Sequence, residues 1–179
     1  MNKSQLFKAL IIISFFSLFL VSALPGSNKE TITLTGAAFQ PNHNCSFSNS
    51  GNTLSTTPVS IGGCSHFVAP VQFPDGITIE KITFYWKDSS VEHEAYLKLD
   101  SSALDGSGAN LVNISTDGYE DEPSSSYADV SITVDNEQYG YFLSIQMPST
   151  EAVVIYGVRI EYSVPFLLFL PFIRNSSVF

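Results

Sequence analysis

Glu92 and Glu94 stand two positions apart, the pair in this 179-residue chain whose spacing first suggests catalysis. On an extended strand alternate side chains share a face, with Cα atoms about 6.6 Å apart. Two carboxylates near that separation can work as acid and base in inverting glycoside hydrolysis. The surroundings oppose this reading, because alternation from Glu92 to Asp100 puts Glu92, Glu94, Tyr96, Lys98 and Asp100 together on a hydrated face. Nothing in the sequence buries either glutamate, and a general acid needs burial to raise its pKa. The pair reads as solvated surface.

Asp117, Glu120, Asp121 and Glu122 lie in the stretch DGYEDEPSSS, which reads as an exposed loop able to gather around a structural calcium ion. EF-hand spacing is absent, so an ordinary solvated loop is the simpler reading. His43, His66 and His93 show no H-x-H, H-E-x-x-H or Cys/His spacing, which argues against zinc. There is no G-x-S-x-G, no G-x-G-x-x-G and no Walker lysine. Acyl-transfer and phosphate-binding chemistries therefore have no motif to stand on. Non-catalytic chemistry is better supplied: Tyr85 and Tyr96 point to the hydrated face beside Lys87 and Lys98, a patch where aromatic rings can stack on sugars. Cross-strand pairing alone also favours aromatics there.

The elements that must position these residues are strands. Phe67, Ala69, Val71 and Phe73 share one face, with Pro70 on the other marking a sheet edge. In Ile77–Lys87 the inward set is Ile82, Phe84 and Trp86, while Ile77 and Ile79 fall in the opposite phase, which predicts a bulge near Glu80. Ala95, Leu97 and Leu99 point inward, followed by Val112 and Ile114, then Ala128, Val130, Ile132 and Val134. Ile32 and Leu34 mark a first strand. Tyr139–Met147 and Val154–Tyr162 alternate on either side of Pro148–Glu151 and read as a β-hairpin. Gln40–Gly63, rich in Asn, Ser, Thr, Gly and Pro, reads as a long loop. The expected fold is an all-β antiparallel sandwich, jelly-roll-like, with about eight strands.

Cys45 and Cys64 are the only cysteines, and an even count in an exported chain predicts one disulfide, stapling that long loop. Export is read from the N-terminus, where Lys3 and Lys8 precede an apolar run from Ala9 to Val21 and small residues follow at Ser22 and Ala23. This is a signal-peptide pattern, and the run falls short of the roughly 18 to 20 residues of a membrane span. The expected organisation is a signal peptide at 1–23, one sandwich domain at 24–163, and an apolar tail at 164–179. The formal net charge is −9, more negative still once Lys3 and Lys8 leave with the signal. No basic footprint exists for nucleic acid. Three Asn-x-Ser triplets, at Asn44, Asn113 and Asn175, match the N-glycosylation pattern.

The runs FVAPVQFPDGITIEKITFYWKD from Phe67, VDNEQYGYFLSI from Val134 and YGVRIEYSVP from Tyr156 resemble an uncharacterised family of exported bacterial β-sandwich proteins. The resemblance spans Ile32 to Ile173 and implies location and fold, with no catalytic residue to transfer. That family ends in a short apolar segment containing Leu-Pro and then a basic residue, matched by Leu170, Pro171 and Arg174. The tail reads as a strap across the sandwich, an envelope-anchoring segment or a partner interface. Together these readings describe a secreted or cell-surface module without catalysis or cofactor, interacting with a cell-surface protein or a glycan. A carbohydrate-binding module is the alternative with a named surface.

Overall fold

The computed structural model describes residues 28–43, 47–56, 65–148 and 153–165. The predicted signal peptide, Cys45 and Cys64, the turn after Pro148 and the apolar tail beyond Pro165 lie outside the described residues. The chain divides into two units, Lys29–Val164 and the two terminal segments, and the first of these is the sandwich.

Its strands are β1 (Asn28–Thr35), β2 (Gln40–Pro41), β3 (Phe47–Ser48), β4 (Leu54–Thr56), β5 (His66–Val71), β6 (Thr78–Asp88), β7 (Tyr96–Ala103), β8 (Gly108–Ser115), β9 (Glu120–Thr133), β10 (Tyr139–Gln146) and β11 (Val153–Val164). One sheet runs β3-β4-β11-β6-β9, with β1 also paired to β11, and the other runs β2-β5-β10-β7-β8. Setting aside β2, β3 and β4, which have two or three residues each, eight strands remain. Numbered among themselves, they lie in the orders 1-8-3-6 and 2-7-4-5. Except from the fourth to the fifth, consecutive strands thus cross between two antiparallel sheets, which is the winding of a jelly roll.

Period-two patterning produces the core. Ile82, Phe84 and Trp86 from β6 and Val158 and Ile160 from β11 face Phe67, Ala69, Leu97, Leu99, Leu143 and Ile145 from the opposite sheet, all essentially inaccessible to solvent. The bulge anticipated near Glu80 lies between Ile79 and Lys81, which is why Ile79 and Ile82 can both point inward.

Three sequence-based expectations change here. Tyr139–Tyr162 is not a hairpin: β10 pairs with β5 and β7, whereas β11 pairs with β6, β4 and β1, so the two strands belong to different sheets. Both strands carry an apolar inward face, and a strong face is equally served by packing across the core as by pairing alongside. Gln40–Gly63 is not plain loop in its described part, since β2 pairs with β5, β3 with β4, and β4 with β11. Leu54 in β4 is fully buried, and the Phe47 ring meets Phe67 edge-on at 5.6 Å. Asp117–Ser126 is a loop only at its start, because β9 begins at Glu120.

A buried polar joint ties β6 to the end of β8. Thr116 Oγ1 donates to Asp88 Oδ2 at 2.7 Å and accepts from the Ala95 amide at 3.0 Å. Asp88 Oδ1 accepts from the Ser90 amide at 2.9 Å, and both Asp88 and Thr116 are fully inaccessible. Asp88→Ala strands the Thr116 hydroxyl proton and the Ser90 amide, and is expected to cost about 2 kcal/mol. Thr116→Ser keeps every partner and should cost less than half as much. Chemical denaturation of both variants measures the difference, and equal midpoints would contradict the joint.

Candidate functional site

Alternation on β6 fixes the outward set Lys81, Thr83, Tyr85 and Lys87, because Ile82, Phe84 and Trp86 are committed to the core. The neighbouring strands complete the surface. On β9, Ser125 lies opposite Tyr85 and Tyr127 opposite Thr83. On β11 the register slips between Ile155 and Gly157, so that Gly157 pairs with Tyr85 and Tyr156 is the extra residue. A bulge re-aims its side chains, and Tyr156 leaves the inward series that Val158 and Ile160 resume.

Tyr85, Tyr156, Pro123, Ser124 and Ser125 line a groove of about 500 Å³. Tyr85 is 37% exposed and Tyr127, one diagonal step along the sheet, is 60% exposed. Lys81 Nζ stands 4.1 Å over the Tyr127 ring, a cation–π contact that holds that ring against the sheet. The groove therefore has two aromatic rings on the adjacent strands β11 and β6, with a proline and hydroxyls on β9 beyond them.

The residues anticipated from sequence are only partly brought together. Tyr85 sits in this groove, but Tyr96 belongs to β7 in the opposite sheet, and the core separates the two. The phenol of Tyr96 donates to Glu94 Oε2 at 3.0 Å, a bond that raises its pKa. A single Tyr85–Tyr96 patch is therefore ruled out by topology. Glu92 and Glu94 precede β7 and are exposed, so the strand spacing invoked for an acid–base pair does not apply to them. Ser90 Oγ accepts from the Glu92 and His93 amides, making this segment a turn.

The acidic residues are also dispersed. Strand alternation sends Asp121 to the side opposite Glu120 and Glu122. Asp121 accepts from Ser89 at 2.7 Å and meets Lys87 at 3.4 Å, contacts that hold its carboxyl below the usual range, the serine bond contributing most. Its charge in turn raises the Tyr119 phenol. Among the described residues no three His, Cys, Asp or Glu side chains are grouped to hold a metal ion. His66 opens β5 and shares a hydrogen bond with Ser65, and His93 lies in the turn before β7.

No protein-family model matches the chain. Nor does any curated protein. Similar solved structures include the C-terminal CBM6 of the laminarinase LamC from Zobellia galactanivorans, at 12% identity and a TM-score of 0.47, over 73% of this chain and 98% of that one. The CBM22-1 and GH10 modules of a Clostridium thermocellum xylanase give 15% identity and 0.47, over 79% of this chain and 29% of that one. The CBM36-1 domain of a xylanase from the hindgut metagenome of Trinervitermes trinervoides gives 7% and 0.45, over 78% and 100%. The jelly-roll assignment stands on the strand order of this chain itself.

Tyr127 and Tyr156 are absent from the site read in the sequence for different reasons, and the period-two reading sets Tyr156 on one apolar face with Val154, Val158 and Ile160. Tyr127 had a legible signal, since the inward run Ala128, Val130 and Ile132 forces it outward. Tyr156 had none, because Val153, Val154 and Ile155 are apolar in both phases and hide where the series shifts.

Proposed function

We propose that this chain is an exported, non-catalytic carbohydrate-binding β-sandwich, gripping a glycan chain in the groove between Tyr85 and Tyr156. The observation that carries the reading is the pairing of two outward tyrosines on adjacent strands across an open groove of about 500 Å³. A sugar ring offers a face of C–H groups to an aromatic ring and a rim of hydroxyls to polar neighbours. Tyr85 and Tyr156 supply the first complement, and Ser125 the second. Lys87 and Arg159 beside the groove are each paired with a carboxylate, Asp121 and Glu161, which suits a neutral polymer. A binding role on a rigid sheet also needs no moving part, in keeping with a face fixed by β6, β9 and β11.

The test is retention of the purified full chain on a panel of insoluble and soluble polysaccharides, against Tyr85→Ala/Tyr156→Ala. Each ring removed should forfeit on the order of 1 kcal/mol, so the double variant is expected to bind at least about tenfold more weakly with its fold unchanged. Equal binding by the variant would dismiss the groove. No retention of the folded wild-type protein on any glycan would return the surface to a protein-partner role.

A further inference from the structure

We propose a second, separate sugar site: the cleft between the free edges of β8 and β9 holds a single neutral sugar unit. The two strands end their respective sheets, and where they face each other near Trp86 they enclose about 520 Å³. That volume lies within the range of small-molecule pockets. The cleft opens on the edge of the sandwich, whereas the tyrosine groove lies on the outer face of β6 and β11.

Its lining is unusual for the margin of a core. The inward series on β9 runs Ser124, Ser126, Ala128, Val130, Ile132, so hydroxyls occupy the two positions nearest Trp86 where the rest of the strand is aliphatic or small. Ser126 Oγ accepts from Trp86 Nε1 at 3.1 Å, which fixes the indole as the floor. The proton of Ser126 and the hydroxyl of Ser124 make no other side-chain hydrogen bond among the described residues. Neither do the carboxylates of Asp117 and Glu120 that share the lining. Spare donors and spare acceptors thus converge on one small volume. A polyol meets this requirement, because every sugar hydroxyl both donates and accepts. Charge narrows the class further: two carboxylates and no cation line the cleft, and Lys87 is engaged with Asp121. A uronate would be repelled.

Trp86 is the chain's only tryptophan, so its emission has a single source at the floor of this cleft. Glucose, xylose and glucuronate are titrated into the purified full chain. At least one neutral sugar should change the emission saturably, with glucuronate at least about tenfold weaker. Asp117→Asn/Glu120→Gln, both at exposed positions, should weaken that binding about tenfold, while Tyr85→Ala/Tyr156→Ala leaves it unchanged. The proposal is overturned if no neutral sugar gives a saturable change, if glucuronate binds equally, or if the Asp117/Glu120 variant binds like wild type. Loss of the signal in the tyrosine variant alone would move the sugar to the outer face and equally overturn it. Failure of the tyrosine groove in polysaccharide retention leaves this outcome untouched.

Discussion

Gly157→Ala should lower the unfolding midpoint by about 10 °C. A β-carbon at this position would lie 2.3 Å from the Leu34 carbonyl oxygen and 3.1 Å from Thr35 Cα. Both are backbone atoms of β1, which cannot rotate away as a flexible side chain can. Either β1 lifts from β11 or the bulge around Tyr156 is remade. Lifting β1 exposes Ile32 and Leu34, which are half-buried against the core, and strains the 2.8 Å bond from Tyr162 to Glu30. Steric insertion of this kind costs 1–3 kcal/mol or more, and partial loss of the two aliphatic contacts brings the expectation to about 3 kcal/mol. That corresponds to the stated midpoint shift for a domain of this size. Gly140→Ala is the matched control, since its nearest neighbour would be Ser102 O at an ordinary 3.8 Å. It should stay within about 0.5 kcal/mol of wild type. Should Gly157→Ala melt with the control, β1 does not press on β11 as described. The same substitution should loosen the tyrosine groove, because the residue that admits β1 also sits in the bulge that turns Tyr156 outward.

What the sequence disclosed about this fold follows from which physical signals are local. Inward alternation of Ile82, Phe84 and Trp86, or of Leu97 and Leu99, depends only on a strand having one buried face, and these residues could be read directly. The bulge near Glu80 was equally visible, since Ile77 and Ile79 break phase within a single apolar run. Pairing is not local. An apolar face on β10 and another on β11 are consistent with two strands side by side or with two strands facing across a core, and a four-residue connection does not choose between them. The same ambiguity put Tyr85 and Tyr96 on one imagined surface. Each was correctly turned outward, but outward from opposite sheets. Glu120, Asp121 and Glu122 misled for another reason: their charges and Pro123 suppress strand propensity, yet β9 is an edge strand with Asp88 opposite Glu120. Tertiary pairing overrides propensity there, and charge on an edge discourages further strands from adding.

Reduction of the protein is expected to cost about 3 kcal/mol, through loss of a Cys45–Cys64 disulfide. The two cysteines themselves lie outside the described residues, but their flanks are brought together. The Asn42 amide donates to His66 O at 3.2 Å, and Phe47 packs edge-on against Phe67. Three residues before one cysteine and two residues after the other are therefore neighbours. The intervening chain, at up to about 3.5 Å per residue, can bring the sulfurs to bonding distance. Closing a loop of about 20 residues restricts the unfolded chain by the stated amount. The native segment has few other restraints: β2, β3 and β4 have at most three residues each, with Leu54 as their buried anchor. Alkylation under denaturing conditions should label no thiol before reduction and two after it, and reductant should lower the melting temperature. Two thiols labelled without reduction would refute the bond, and Cys45→Ser/Cys64→Ser would then match the wild type in stability. The bond would also bear on location, since a disulfide of this kind persists in the oxidising compartments to which a signal peptide leads.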